Sequence, residues 1–209
     1  MVQPQSQIRY TVEEYLEMER NSQERHEYLD GEIYQMASES LAHGDICINL
    51  AREISTQLRG TPCRALSKDI KVRSGTLPSP RRMMKGLFSY PDVLVVCGEP
   101  QFHDEDTDIL TNPTVIIEVL SDSTEAFDRG EKFFRYQRIE PLTEYVLVSQ
   151  NLSLIEIFAR QENNWLYSAT SDFAASVHLA SIDCRLRLSE VYDRVTFPDE
   201  PPATDAPED

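Results

Sequence analysis

The sequence predicts a mixed-sheet α/β domain on the border with α+β, and three observations predict it. Apolar residues recur at helical spacing in two early segments, around Val12–Arg20 and Leu41–Arg59. Short apolar runs of strand length follow, at Val93–Cys97 and Val115–Val119. A third helical pattern separates them from three further strand-like runs, so helices and strands are interspersed along the chain. At 209 residues the chain has room for one domain with a real core, read here as residues 1–197.

Each element has its own local reason. Thr11 and Glu14 have the spacing of a capping box, and Val12, Tyr15, Leu16 and Met18 form a stripe, so a short helix runs to about Arg20. In HEYLDGEIYQM the Asp30-Gly31 pair sits between two extended runs, which predicts a tight hairpin. LAHGDICINLAREISTQLR carries Ile46, Ile48, Leu50, Ala51, Ile54 and Leu58 for a packed helix that Gly60 and Pro62 end. CRALSKDIKVR reads as one strand, and SGTLPSPRRMMKG as a loop. STEAFDRGEKFFRYQRI reads as a helix with Phe127, Phe134 and Ile139 among its apolar positions, closed by Pro141. TEYVLVS, LSLIEIFAR and NWLYSAT then predict a meander, and IDCRLRL a last strand before a short helix. Trp165 and the aromatics of these last strands read as core or dimer contacts.

Charge limits the function. A net charge of −16 opposes a sequence-independent grip on nucleic acid, which needs Lys and Arg against phosphates. The distribution is uneven, however. The tail Pro198–Asp209 has five acids and no base, and reads as a disordered end. Glu99–Asp108 reads as an acidic, solvated loop. Between Arg64 and Lys85 stand Arg64, Lys68, Lys71, Arg73, Arg81, Arg82 and Lys85 against Asp69, so one face could be positive. Cys47, Cys63, Cys97 and Cys184 have no CxxC spacing and no close histidine partner, and read as reduced thiols of a cytoplasmic protein. No apolar run approaches the roughly 20 residues that span a bilayer.

Two apolar strands each carry an acid: Asp92 at the start of one and Glu118 near the end of the other. A buried carboxylate needs a cation, hydrogen bonds or solvent. Taken singly, Asp92 reads as a residue that caps the strand start after Pro91, and Glu118 as one half of an ion pair. Taken together, they could share one divalent metal. Asp128, Lys132 and Arg135 follow at helical spacings of four and three, on one face.

Pro91-Asp92, then Glu118-Val119-Leu120-Ser121, then Asp128 and Lys132 in DRGEKFFRYQRIEPLTEYVLV resemble the Uma-type family of restriction endonucleases, within the PD-(D/E)XK nuclease superfamily. The resemblance spans roughly Tyr10 to Val195 and takes in Glu27 in EYLDGEIY, His43-Gly44 and Asp69 in SKDIKVR. It implies a restriction-endonuclease-like core, a mixed sheet flanked by helices. It also implies a magnesium or manganese ion on Asp92, Glu118 and the Val119 carbonyl. The slot two residues after the second acid, usually lysine in the superfamily, holds Leu120, so the implied lysine is Lys132 from the next helix, with Lys71 as second candidate.

For the other residues both readings stay open. Glu27 is an extra acid brought toward the metal or an exposed strand acid, and His43 a substrate or metal contact or a helix-start packing residue. Asp69 is a further ligand or the partner of Lys68, Lys71 or Arg73. Tyr90 and Ser121 could hydrogen-bond the acids. Lys68, Arg73, Arg81, Arg82 and Lys85 are the candidate DNA contacts, and a homodimer would bring two such patches together. Three functions compete: a metal-dependent DNA endonuclease, a nuclease-fold module that binds nucleic acid or protein without hydrolysis, and a hydrolase of smaller phosphate esters.

Overall fold

The computed structural model describes residues 9–36, 38–74 and 86–198. Arg81, Arg82, Lys85 and the acidic tail after Pro198 lie outside them. Helix α1 (Val12–Asn21) opens on the predicted capping box, with Thr11 Oγ1 accepting from Glu14 N and the Glu14 carboxylate from Thr11 N. Strands β1 (His26–Leu29) and β2 (Glu32–Gln35) form the hairpin, with Asp30 at φ 48° and Gly31 at φ 97°. Both φ values are positive, as the tight turn requires.

Helix α2 (Leu41–Gln57) buries Ile46, Leu50 and Ile54 with Leu58 just beyond it, but Ile48 is exposed on the opposite side. Strands β3 (Cys63–Ser67), β4 (Lys71–Arg73), β5 (Leu87–Ser89) and β6 (Val93–Cys97) follow, and β7 (Ile109–Leu110) leads to β8 (Val115–Leu120). The segment read as one helix is three: α3 (Glu125–Phe127), a π-helical turn (Asp128–Lys132) and α4 (Phe133–Tyr136). The expected face survives, because Asp128, Lys132 and Arg135 are all buried, whereas Phe134 is exposed. The meander is β9 (Glu144–Ser149), β10 (Ile155–Gln161) and β11 (Asn164–Thr170). The expected last strand is half of a hairpin, β12 (Ser176–Leu179) with β13 (Cys184–Arg187), before α5 (Leu188–Val191).

Two mixed sheets result, ordered β11-β10-β9-β8-β6-β3 and β2-β1-β5-β4-β7. Among the described residues only β8–β9 and β4–β7 pair in parallel, and α3, the π turn and α4 supply the crossover that a parallel β8–β9 pair needs. On β8 the odd residues Val115, Ile117 and Val119 face a core shared with α2 and α5. The even residues Ile116 and Leu120 face the other core, with Tyr136, Leu142, Tyr145 and Leu147.

The run CRALSKDIKVR is not one strand. β3 pairs with β6 in one sheet, while β4 pairs with β5 in the other, so a single antiparallel ribbon bends from sheet to sheet. Ser67 faces Val93 and Val72 faces Ser89, which leaves one more residue on the β3–β4 side of the bend than on the β5–β6 side. Such an extra residue bends and twists a ribbon and re-aims its side chains. Ser89-Tyr90-Pro91-Asp92 lies at this bend.

The cysteine reading is corrected at the far end of the same ribbon. Cys63 and Cys97 are cross-strand partners with Cα atoms 3.9 Å apart, and they are joined as a disulfide. Cross-strand register, invisible in the spacing, brings them together. Cys47 and Cys184 are free.

Candidate active site

Antiparallel β6 and β8 pair Val93 with Ile117, so one more step along the register sets Asp92 opposite Glu118. Glu118 points into the core that holds Tyr136, and only 3% of its surface is exposed. Asp92, at the bend, leaves the alternation: its Oδ2 accepts from the amide of Val119, Glu118's neighbour, at 2.8 Å and lies 3.4 Å from His43 Nε2 on α2. The two acids therefore flank the end of one strand pair. Each accepts these protein hydrogen bonds on a single oxygen, Asp92 Oδ2 and Glu118 Oε1.

Lys132 leaves the π turn on the same side of the sheet as Glu118. Its Nζ lies 3.0 Å from Glu27 Oε1, 3.1 Å from Asp128 Oδ1 and 3.3 Å from Glu118 Oε1. The Asp128 contact is an ion pair without hydrogen-bond alignment, and Asp128 Oδ1 is buried with no hydrogen-bond partner. Tyr136 OH donates to Glu118 Oε1 at 3.0 Å and lies 2.7 Å from Ser89 Oγ. Glu27, in β1, accepts from Tyr90 N at 3.2 Å. Hairpin, strand and π turn thus converge on one ammonium.

The electrostatics follow from burial. Desolvation holds the Glu118 carboxyl well above the usual range; Lys132 opposes that shift, and Asp128, Asp92 and Glu27 add to it. Burial alone would lower the Lys132 pKa, but Glu118, Glu27 and Asp128 outweigh it and raise it well above the ordinary lysine value. Desolvation likewise pushes Tyr136 up, so its phenol stays a donor. His43 is opposed by burial, yet the Asp92 hydrogen bond and the charges of Asp92 and Glu39 raise its pKa.

Four acids against one lysine leave this region short of positive charge. These contacts leave Asp92 Oδ1 and Glu118 Oε2 without a hydrogen bond, and carboxylate oxygens of this kind suit a hard divalent cation such as magnesium or manganese. The residues present fit such an ion.

A family model described as "Putative restriction endonuclease", Uma2, matches residues 12–189. The chain belongs to the Uma2 family. Two proteins of Synechocystis sp. are similar to it along the family's length. The uncharacterized protein slr1290 is 32% identical over 189 residues, covering 88% of this chain and 92% of its own. The uncharacterized protein sll1609 is 32% identical over 157 residues, covering 75% and 84%. The fold matches a crystal structure from Anabaena variabilis, described as a putative nuclease belonging to DUF820. Its TM-score is 0.69 at 16% identity, with 88% of this chain and 97% of that one covered. The nuclease-like fold expected from sequence is therefore the fold observed. No helix among the described residues is long and apolar enough to cross a membrane.

Other candidates within the family pattern fall elsewhere. Lys71 is buried, but its Nζ is 2.7 Å from Asp108 Oδ2 and 3.3 Å from Tyr90 OH, not among the Lys132 acids. Asp69 pairs with Arg25, which none of the expected partners anticipated. Ser121 Oγ turns to Ser123 and Thr124, and Tyr90 OH to Glu19 Oε1, so only the Tyr90 amide serves an acid of the site. Of the expected positive face, Lys68 pairs with Glu39 and Lys71 with Asp108, while Arg73 Nη1 lies 2.7 Å from His103 Nδ1. The acidic loop is exposed at Glu99, Glu105 and Asp106, and Asp104, Asp106 and Asp108 gather on Arg20.

Tyr136, Ser89 and Cys47 were missed. Tyr136 follows Lys132 by four residues, and Cys47 follows His43 by four, so helical spacing carried a signal for both. Cys47 Sγ lies 3.5 Å from His43 Nδ1, which corrects the reading that no cysteine has a histidine nearby. Ser89 had no signal, because only the sheet-to-sheet bend brings it to Tyr136.

Proposed function

We propose that this chain is a metal-dependent endonuclease that hydrolyses DNA phosphodiester bonds. Asp92, Glu118 and the Val119 carbonyl would hold magnesium or manganese, and Glu27 and Lys132 complete the site. The observation that carries the reading is the position of Lys132 Nζ, 3.3 Å from Glu118 Oε1, on the side of the sheet where Leu120 supplies no ammonium. The bound ion would polarise the phosphodiester and acidify an attacking water.

The chain's own residues do the rest. Lys132, held protonated by three acids, orients the water and offsets charge that builds on the phosphate. Tyr136 fixes Glu118 through one oxygen, and the Val119 amide fixes Asp92 through one of its own. Hydrolysis forms one P–O bond from water and breaks one ester P–O bond, so no covalent enzyme intermediate is needed. A homodimer would place two such sites on the two strands of a duplex, and cytoplasmic DNA would be the substrate.

Isothermal titration with manganese tests the metal part: the parent binds, and Asp92→Ala and Glu118→Ala do not. Plasmid nicking by Lys132→Ala tests the lysine, and undiminished nicking would remove Lys132 from the mechanism. A second reading, a nuclease fold that binds partners without hydrolysis, is favoured by the internal pairing of Lys68, Lys71 and Arg73. Manganese binding without any nicking would select it.

A further inference from the structure

On the α2 side of Asp92 stands a second group of ligating atoms with a different chemical character. One nitrogen of His43, Cys47 Sγ and one Asp92 oxygen lie within 4.8 Å of one another. His43 and Cys47 are four residues apart on α2 and so share its face, and Asp92 reaches them from the bend before β6. We propose that His43, Cys47 and Asp92 form a site for a borderline-soft divalent ion of the zinc class.

The geometry and the donor types carry this. Imidazole nitrogen, thiolate sulfur and carboxylate oxygen are the donors zinc takes, and three protein ligands with a water complete a tetrahedron. Cys47 Sγ lies 3.5 Å from His43 Nδ1 and Asp92 Oδ2 lies 3.4 Å from His43 Nε2, so the three side chains already meet. Supporting contacts are already in place: Val119 N holds Asp92 Oδ2 at 2.8 Å, and Glu39 Oε2 lies 3.5 Å from His43 Nδ1. His43 and Cys47 are covered and Asp92 is partly exposed, so solvent reaches the group from the Asp92 side. Binding displaces the thiol proton to solvent.

Asp92 is common to both ion sites, so zinc at His43–Cys47–Asp92 withdraws it from the hard site; this consequence, unlike zinc binding itself, rests on the proposed function. A zinc-class ion would then switch off magnesium- or manganese-dependent cleavage by competition for one carboxylate.

Cobalt(II) titration of the metal-free full chain, followed by absorption, tests the site. One equivalent should produce a thiolate-to-cobalt charge-transfer band, which equimolar zinc erases. The band should vanish in Cys47→Ser, and in Cys47→Ala should the serine variant fold poorly by circular dichroism. It should persist in Cys184→Ser and in Glu118→Ala. No band in the parent, or a band retained without the Cys47 sulfur, overturns the proposal. Glu118→Ala separates the two readings, because loss of manganese binding there leaves the cobalt band untouched. In the parent, excess zinc should abolish manganese binding; unaffected manganese binding would overturn the competition.

Discussion

Replacing Lys132 by methionine keeps the volume of the side chain and removes its charge. The ammonium lies 3.0, 3.1 and 3.3 Å from three carboxylates that are themselves buried or nearly so. At an effective dielectric of about 20, each such contact supplies roughly 5 kcal/mol of attraction. Most of that is offset by desolvation of the ammonium and by repulsion among the acids. Removing the cation of a buried ion pair costs about 3–5 kcal/mol net, because the anions stay behind uncompensated. That is a large part of the 5–15 kcal/mol typical of a folded domain. The loss depends on pH. The folded-state pKa of Glu118 lies above its unfolded value, so between the two the folded chain binds more protons, and stability falls as pH rises. Without Lys132, which lowers that pKa, the interval widens upward. The deficit of Lys132→Met should therefore grow as pH rises through the titration of the Glu118 carboxyl. Urea unfolding read by Trp165, the one tryptophan, measures it, since its ring meets Phe133 edge-on at 5.3 Å beside the substituted residue. A loss under about 1 kcal/mol at pH 7, or a deficit that shrinks as pH rises, would refute the charge-balance argument.

Three other outcomes are expected. Leu120→Lys alone should lower stability, because Leu120 is buried in the core with Ile116 and Tyr136, but combined with Lys132→Met it should cost less than the sum of the two; strict additivity in urea titrations would mean that position 120 cannot reach the acids. Burial favours the neutral form of Asp108, yet its hydrogen bonds to Arg20 and Lys71 prevail and hold its pKa at about 2. A depressed carboxyl stabilises the fold above its unfolded pKa and loses that contribution as pH falls toward 2, so Asp108→Asn should flatten the acid limb of the stability curve between about pH 4 and pH 2, and an unchanged limb counts against the pairing. Thiol counting on unfolded, unreduced protein should find the two sulfurs of Cys47 and Cys184 and no others; reduction should then lower unfolding free energy by about 2–4 kcal/mol, and four reactive thiols would contradict the disulfide.

Much of the fold was legible because its signals are local. The Thr11–Glu14 capping box, the Asp30-Gly31 turn and the three-strand meander each depend on residues near one another in sequence, and each formed as read. The helix after β8 was legible in its face but not in its winding: a π turn leaves few traces in composition, yet Asp128 and Lys132 still point inward. The bent β3–β6 ribbon was not legible. A strand that changes sheets looks the same in one dimension as a strand that does not, so Lys71 seemed available to the acids and Arg73 to DNA.

What the sequence determined by itself is the inventory and its spacing: two acids on apolar strands, a lysine on the following helical segment, and a histidine and a cysteine one helical turn apart. Spacing along the chain fixes which side chains share a face, because rise and twist per residue are set by the backbone. Tertiary structure alone decided which faces meet. The register of β6 against β8 set Asp92 across from Glu118, the hairpin brought Glu27 from far upstream to Lys132, and the bend turned Asp92 away from the alternation toward α2. Those contacts depend on strand pairing and core packing between distant segments, and no window of sequence contains both partners.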